Sequence, residues 1–387
     1  MQSLLKLVRL PLILPALLCV IAIRLLAKAG VLIRFGQFWS ERLGHLAGNT
    51  EVYLCEKDAG LHSGYHIWFH RQPISSKQIA KMYARVMTVG PRWFTGLVAL
   101  INTWFKGHEK HAVGSTQVDR DIHNLLEKTP CHIAFTEEEE KRGRDTLRKW
   151  GIPDGAKWVC LIVRDGAYLP GLGYHAYRDS DVDTYRLAAE ELAERGYYVF
   201  RMGAKVAKPF TQLWQLDKDT GEVIGGIIDY ANPHRGMRSD FMGAYLGAKC
   251  EFCISTGTGF DAIPYVFRRP ICYVNYVPVE YFFTFVNGLA IWKHHLKDGK
   301  RMSFKEIIES GAGQFMRAEE FERAGITLQD NSPEEIRDVV LEMAQGISTE
   351  PQDEFWKAYP RSISPYNNRP LHGEIRMRIG AKFLEFH

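Results

Sequence analysis

The chain has 387 residues, enough for two domains with a sizeable core, and its 46% hydrophobic and 24% charged residues exclude a disordered polymer. A net charge of +4 is too small to hold a phosphate backbone, so no nucleic-acid partner is expected. Seven cysteines, an odd number scattered mostly in apolar runs, argue against a disulfide framework and fit reduced thiols in a cytosolic body.

Charge is concentrated at the start of the chain. Residues 1–49 carry Lys6, Arg9, Arg24, Lys28, Arg34 and Arg42 against Glu41, six minus one or +5, which leaves −1 for the remainder. Leu10–Ile23 is an uncharged run of 14 residues, shorter than the ~20 that span a bilayer comfortably. Basic flanks around such a run fit a helix lying on an anionic membrane surface, the alternative being a helix packed on the protein. Residues 1–29 are read as a membrane-associated segment.

Val31–Phe35 reads as a strand ended by Gly36. Ser40–Leu46 leads into a helical stretch to about Glu56, and His66–Phe69 reads as a second strand. Ser76 is a candidate cap for a helix reaching Met87, and a further helix is expected over Trp93–Phe105. The order predicts a first α/β domain over 30–150, closed by a charged, exposed helix at Glu137–Lys149.

Gly151–Gly155 reads as the linker. Trp158–Val163 is then a near-continuous apolar run, the mark of a parallel strand buried on both faces, with Arg164 and Asp165 at its carboxyl end. Thr184–Arg195 is a helix stopped by Gly196. Tyr197–Phe200 is a strand leading to Arg201, Gly203 and Lys205. Ile227–Tyr230 is a weaker strand, and Ser239–Ala248 is a helix. Cys250–Tyr276 reads as strand, turn (Ser255-Thr256-Gly257-Thr258-Gly259), short helix capped by Asp261 with Pro264 in its first turn, and strand over Ile271–Asn275. Cys250 and Cys253 lack a second pair at zinc spacing and are read as packing residues. Ser332-Pro333-Glu334-Glu335 is a capping box for a helix to about Gln345. Phe355 and Trp356 are expected to pack on the body, and Gly373–Phe386 to form a final helix. The alternation predicts a doubly wound parallel sheet over 151–345, followed by a helical tail over 346–387.

Ligands of such sheets sit outside the carboxyl ends of the strands. Arg164, Arg201 with Gly203 and Lys205, and the Ser255–Gly259 turn all fall on that edge. The turn, with its Thr256 and Thr258 hydroxyls and the helix beyond, suits a phosphate, although glycine turns also serve chain reversal alone. Arginine grips phosphate oxygens in pairs, and two cations beside a helix start would neutralise the nucleoside diphosphate that leaves in sugar transfer. The Asp179-Ser180-Asp181 triplet precedes a helix and is read as capping, so no metal is assigned. His45 is the first candidate for the base that deprotonates an acceptor hydroxyl, with a packed histidine as the alternative. Asp165 is the second candidate, with an ion pair or turn role as its alternative.

Several blocks resemble a bacterial family of glycosyltransferases encoded among surface-polysaccharide genes. They are Arg42-Leu43-Gly44-His45-Leu46, Val163-Arg164-Asp165 with Tyr168, Tyr177-Arg178 and Tyr185, Gly196-Tyr197 with Arg201-Met202-Gly203, and Ser255–Asp261 with Pro264, Tyr265, Pro270 and Asn275. The resemblance runs from about Arg34 nearly to the C-terminus. It implies two Rossmann-like domains in a GT-B-like arrangement, with the nucleotide-sugar donor on the second domain and no metal or other cofactor. It also implies a glycan or lipid-linked acceptor, polysaccharide-assembly partners, and work on O-antigen or capsule at the cytoplasmic face of the inner membrane. More distantly, Arg164 and the Thr-rich turn are similar to fucosyltransferase-type enzymes. Asp165 stands where those carry a second basic residue, which argues against GDP-fucose. The competing readings are a nucleotide-sugar epimerase of the same architecture and a non-catalytic membrane-associated scaffold.

Overall fold

The computed structural model describes residues 10–113, 119–167, 173–348, 350–365 and 368–385. Tyr168, Lys6, Arg9 and Phe386, named above, lie outside them. The chain forms two compact units, Met1–Asp119 with Leu125–Phe135, and Arg120–Asn124 with Thr136–His387.

The first unit is built on two parallel strands, β1 (Ile33–Phe38) and β2 (Tyr65–His70). Single parallel bridges, Phe35 to Ala112 and Trp68 to Val89, extend the pair on both sides. Gly36 does not end β1, as its residue type had predicted. The strand runs through it because a side chain there would meet the Trp68 ring at 2.5 Å, so the missing Cβ is a packing requirement. Helices over Thr50–Asp58, Lys77–Tyr83 and Arg92–Asn102 complete the connections. Ser76 caps the second of these, accepting from the Ile79 N–H at 3.2 Å. The N-terminal helix, Leu10–Lys28, buries Ala16 and Val20 in one cluster with Phe35, Val98 and Ile101.

The second unit carries an α/β sheet of eight strands. These are β3 (Lys157–Ile162), β4 (Tyr197–Arg201), β5 (Leu213–Leu216), β6 (Val223–Ile228), β7 (Phe252–Ser255), β8 (Ile271–Tyr276), β9 (Gly288–Trp292) and the late strand Met377–Ile379. From one edge, the order is the late strand, β9, β8, β7, β3, β4, β6, β5, and only β5 is antiparallel to its neighbour. The chain moves outward from β3 through β4 to β6, then returns to the other side of β3 as β7. Such a reversal opens a crevice at the carboxyl ends of β3 and β7.

A separate antiparallel sheet holds β10 (His294–Lys297) between β11 (Lys300–Arg301) and β12 (Ile326–Gln329), so the late strand is β13. The final helix expected over Gly373–Phe386 is instead β13 followed by a short helix at Ala381–Leu384. Met377 and Ile379 gain parallel partners on β9 and full burial, which outweighs a weak helical pattern. The capped helix Pro333–Gln345 is as its sequence requires, with Ser332 and Glu335 exchanging both capping bonds. Phe355 stacks on Trp292 with ring centroids 5.9 Å apart. Glu137–Lys149 is a helix with its own capping box, and it belongs to the second unit rather than closing the first. Tyr245 covers Gly143 and donates to Glu140 at 3.3 Å, and Lys249 pairs with Glu140 at 2.6 Å. All seven cysteines are free, and Cys250 and Cys253 are buried.

Candidate functional site

The crevice between β3 and β7 is floored by one hydrogen bond between its two walls. The Arg164 N–H, just past β3, donates to Thr256 Oγ1, just past β7, at 2.9 Å. Beyond Thr256, the chain turns on Gly257, at φ +81°, where a side chain would strike the Tyr276 ring. Asp261 organises this turn from beneath. It accepts from Ser255 Oγ at 2.6 Å, Thr258 N at 2.8 Å and Thr258 Oγ1 at 3.0 Å. Thr258 Oγ1 in turn accepts from Phe260 N at 3.2 Å.

These bonds revise three sequence-derived roles. Ser255 and Asp261 are buried and spend their polar atoms inside the turn, and Thr256 is buried with its Oγ1 on the Arg164 N–H, so all three shape the crevice rather than line it. Asp261 occupies the cap position of the helix Ala262–Val266, but its side chain makes no capping bond to it. Thr258 caps a three-residue 3-10 turn, Gly259–Asp261, and Asp261 is its third residue. The helix that follows, Ala262–Val266, has only five residues, too short for a strong dipole. What the turn leaves to solvent is Gly259, an exposed residue whose N–H is the first of the 3-10 turn.

Positive charge comes from arginines instead. Arg164 Nε donates to Asp179 Oδ1 at 3.0 Å, which orients the guanidinium. Arg178, on the 3-10 turn Gly173–Arg178, donates through Nη2 to the Gly257 carbonyl. Its Nε is buried and has no acceptor among the described residues. Burial first, then the Arg178 charge, pull the Arg164 pKa below its ordinary value, while Asp179 pushes it back up. Arg178 also acts on Asp261 electrostatically. Two guanidiniums therefore share one crevice with Asp179, ion-paired to Arg164, and with the buried Asp261 beneath the turn. At the carboxyl end of β9, Lys293 is already neutralised by Asp330 at 2.8 Å.

Arg201 does not join them. It is fully buried at 0% exposure, 3.5 Å from Asp229 and 3.8 Å from Asp165, so it anchors β4 and β6 and cannot reach a ligand. Asp165 takes the turn role that was its alternative: one of its oxygens accepts from Ala167 N at 3.1 Å and the other from Ala207 N at 2.8 Å, so it fastens the loops after β3 and β4. Gly203 and the exposed Lys205 stand on the loop after β4, across β3 from the turn. Among the described residues, no hydrogen bond or ion pair links either of them to the crevice. In the acidic triplet, Asp181 caps the 3-10 turn Val182–Tyr185, accepting from Asp183 N at 2.9 Å, and grips Lys208 at 2.6 Å. Asp179 serves Arg164, so the triplet is divided between two tasks.

On the first unit, His45 opens a π-helical turn, His45–Asn49, a geometry common at functional sites. Its ring stacks on Trp39 with centroids 4.0 Å apart and planes 9° apart. Nδ1 lies 3.3 Å from Asn49 Oδ1, so Nδ1 carries the proton and Nε2 keeps a lone pair. Burial lowers its pKa below the ordinary value, partly opposed by Asp119 and Asn49. The imidazole is neutral at pH 7, the form a general base needs.

No protein family and no curated protein matches the chain. Its neighbours among solved structures include glycosyltransferases and a putative UDP-N-acetylglucosamine 2-epimerase from Listeria monocytogenes, 11% identical over 81% of this chain and 88% of that one, TM-score 0.27. The family 9 glycosyl transferase from Veillonella parvula is 10% identical, with 81% of this chain and 98% of that one covered and a TM-score of 0.46. The ADP-heptose lipopolysaccharide heptosyltransferase II of E. coli is 12% identical over 69% of this chain and 92% of its own, TM-score 0.40. The E. coli heptosyltransferase WaaC with ADP is 12% identical over 76% and 99%, TM-score 0.32. These TM-scores lie below 0.5, so function is argued from this chain's own residues.

Arg178 and the pairing of Asp179 with Arg164 are the site features that motif reading missed. Arg178 stood only inside a resemblance block, because a short 3-10 turn has no periodicity to read.

Burial raises the Asp261 pKa from its ordinary 3.8 to about 6, against the hydrogen bonds from Ser255 and Thr258. The folded chain then holds more protons than the unfolded one between these values, so this group's contribution to stability falls as pH rises through about 6. Asp261→Asn cannot titrate. Urea midpoints measured at several values between pH 4 and 7 should show wild type losing ground to Asp261→Asn as pH rises. Parallel midpoints would contradict the assignment.

Proposed function

We propose that the chain is a glycosyltransferase moving a sugar from a nucleoside-diphosphate sugar to a glycan or lipid-linked acceptor, with no metal on the donor. The supporting observation is the arginine pair at the β3–β7 crevice, one guanidinium held by Asp179 and the other carrying a buried Nε without an acceptor among the described residues. When the bond between the sugar and the diphosphate breaks, negative charge grows on the leaving phosphate oxygens. Donors already in place there stabilise that charge without reorganising. Thr258 and Gly259 shape the rim on which the diphosphate would lie. His45 Nε2 is assigned the acceptor proton. Thermal shift of the purified chain with ADP, UDP, GDP, CDP and dTDP, each with EDTA or with magnesium, tests the donor site. One diphosphate is expected to raise Tm in EDTA by mass action. No shift with any of them would overturn the donor site, and strict magnesium dependence would overturn its metal-free form.

The setting we propose is O-antigen or capsule assembly at the cytoplasmic face of the inner membrane. The helix Leu10–Lys28 is roughly 28 Å long at 1.5 Å per residue, close to a bilayer core. Yet it packs along Arg92–Asn102, and Arg24 donates to Asn102 Oδ1 at 3.2 Å. A helix with one face packed on the body at Ala16 and Val20 and tied by Arg24 fits a surface-lying anchor better than a spanning one. Leu14, Leu18 and Leu25 of this helix are exposed, as are Trp93, Leu100 and Trp104 around the second, all at 53–64%. Trp at the rim of such a face and Arg or Lys nearby suit an anionic interface. The double variant Leu18→Glu, Trp104→Glu alters exposed positions only, and it should cease to float with phosphatidylglycerol vesicles that carry the wild type. Equal flotation of both would refute the anchor.

A further inference from the structure

Away from the arginine crevice, the first unit holds a cluster that neither its fold nor the proposed transfer requires. Glu51 and Cys55 are four residues apart on the helix Thr50–Asp58, so they share one face, and both are fully buried at 0% exposure. His132 reaches them from the returning segment Leu125–Phe135. Its Nδ1 lies 3.1 Å from Glu51 Oε1, and one ligand atom each from Glu51, Cys55 and His132 lie within 4.8 Å of one another. On the far side of the ring, His132 Nε2 lies 3.0 Å from Asp58 Oδ2.

We propose that Glu51, Cys55 and His132 bind a divalent transition ion, with zinc as the best match. Thiolate, imidazole and carboxylate are zinc's own ligand types, and bonds of about 2.0–2.3 Å place tetrahedral ligands roughly 3.5 Å apart. The three atoms need only small side-chain movements to reach that spacing. A thiolate and a carboxylate together cancel the dication, which allows the ion to sit among buried residues. Binding releases two protons, that of the Cys55 thiol and the one His132 holds on Nδ1 toward Glu51, and the proton remaining on Nε2 is donated to Asp58. That carboxylate–histidine–metal relay is the arrangement that fixes ring orientation at zinc sites. The metal-free alternative is a protonated His132 donating to Glu51 and Asp58 with Cys55 as a packed thiol, and the experiment below separates the two. The ion would staple the Leu125–Phe135 segment to the helix that follows the His45 turn, a structural task separate from the donor crevice.

The test uses the full chain purified without chelator. Elemental analysis should find about one zinc per chain. The cobalt-reconstituted protein should show tetrahedral visible bands together with a thiolate-to-cobalt charge-transfer band. Cys55→Ser changes one atom and should abolish that charge-transfer band, and His132→Ala should release the ion. Adding zinc to the stripped wild type should raise Tm, and adding it to Cys55→Ser should raise it less. A folded chain that holds no zinc and leaves cobalt with the spectrum of the free aquo ion overturns the site. A charge-transfer band unchanged in Cys55→Ser also overturns it, because the metal would then sit on another cysteine.

Discussion

Arg178→Ala is expected to lower kcat/KM for sugar transfer about 10²–10³-fold, the scale seen when one preorganised donor to a developing oxyanion is removed. The guanidinium bridges the Gly257 carbonyl and the crevice, and its buried Nε finds no protein acceptor among the described residues. Alanine removes the charge and the orphaned donor together, so the fold should tolerate the change while the diphosphate does not. Arg178→Lys should recover little, since an ammonium cannot reproduce a planar fork that contacts the turn and a phosphate at once. Arg164→Ala should cost a similar factor, and it also frees Asp179 to repel the ligand. Steady-state kinetics with the donor identified by thermal shift, together with the Tm of each variant, separates lost chemistry from lost structure. Near wild-type kcat/KM in Arg178→Ala would remove the crevice from consideration as the donor site.

The largest effect on stability is expected at Asn331, which lies far from any motif. Asn331 is 1% exposed and exchanges two hydrogen bonds with Asn275, accepting from its N–H at 3.0 Å and donating to its Oδ1 at 2.6 Å. It also donates to the Trp292 carbonyl at 2.9 Å, while Asn275 donates to the Tyr185 hydroxyl at 3.0 Å. One cross-link thus joins β8, β9 and the 3-10 turn Val182–Tyr185. Asn331→Ala leaves the Asn275 N–H and the Trp292 carbonyl buried without partners, and each orphan costs about 1–3 kcal/mol. Calorimetry and urea unfolding should show a loss of roughly 3–4 kcal/mol in the unit that carries the large sheet. A loss under about 0.5 kcal/mol would mean that water replaces the amide fully.

The same network explains a feature that resemblance alone had left without a cause. Tyr185 and Asn275 stood in blocks that pointed to function, yet both are buried, Asn275 bonded to Asn331 and Tyr185 to Asn275, and they hold strands together. Asn275 sits at φ +55°, a conformation asparagine tolerates better than most residues. Its place in the pattern reflects backbone geometry rather than contact with a ligand.

Where the chain carried a complete local code, its amino-acid sequence was sufficient. Ser332-Pro333-Glu334-Glu335 specifies a helix start through bonds made within four residues, and Ser76 does the same for its own helix. The apolar runs of β3 and β7 imply strands buried on both faces, and the carboxyl-edge rule then places Arg164 beside the Ser255–Gly259 turn. Tertiary structure decided the rest, because those roles depend on partners distant in sequence. Gly36 reads as a breaker until Trp68 packs on it, and Met377–Ile379 becomes a strand only because β9 offers an open edge. Arg201 and Arg164 are both arginines at the ends of neighbouring parallel strands. One is sealed between Asp229 and Asp165, and the other is left part-exposed beside Arg178. Local sequence cannot distinguish them, since burial and charge balance are properties of the assembled sheet edge.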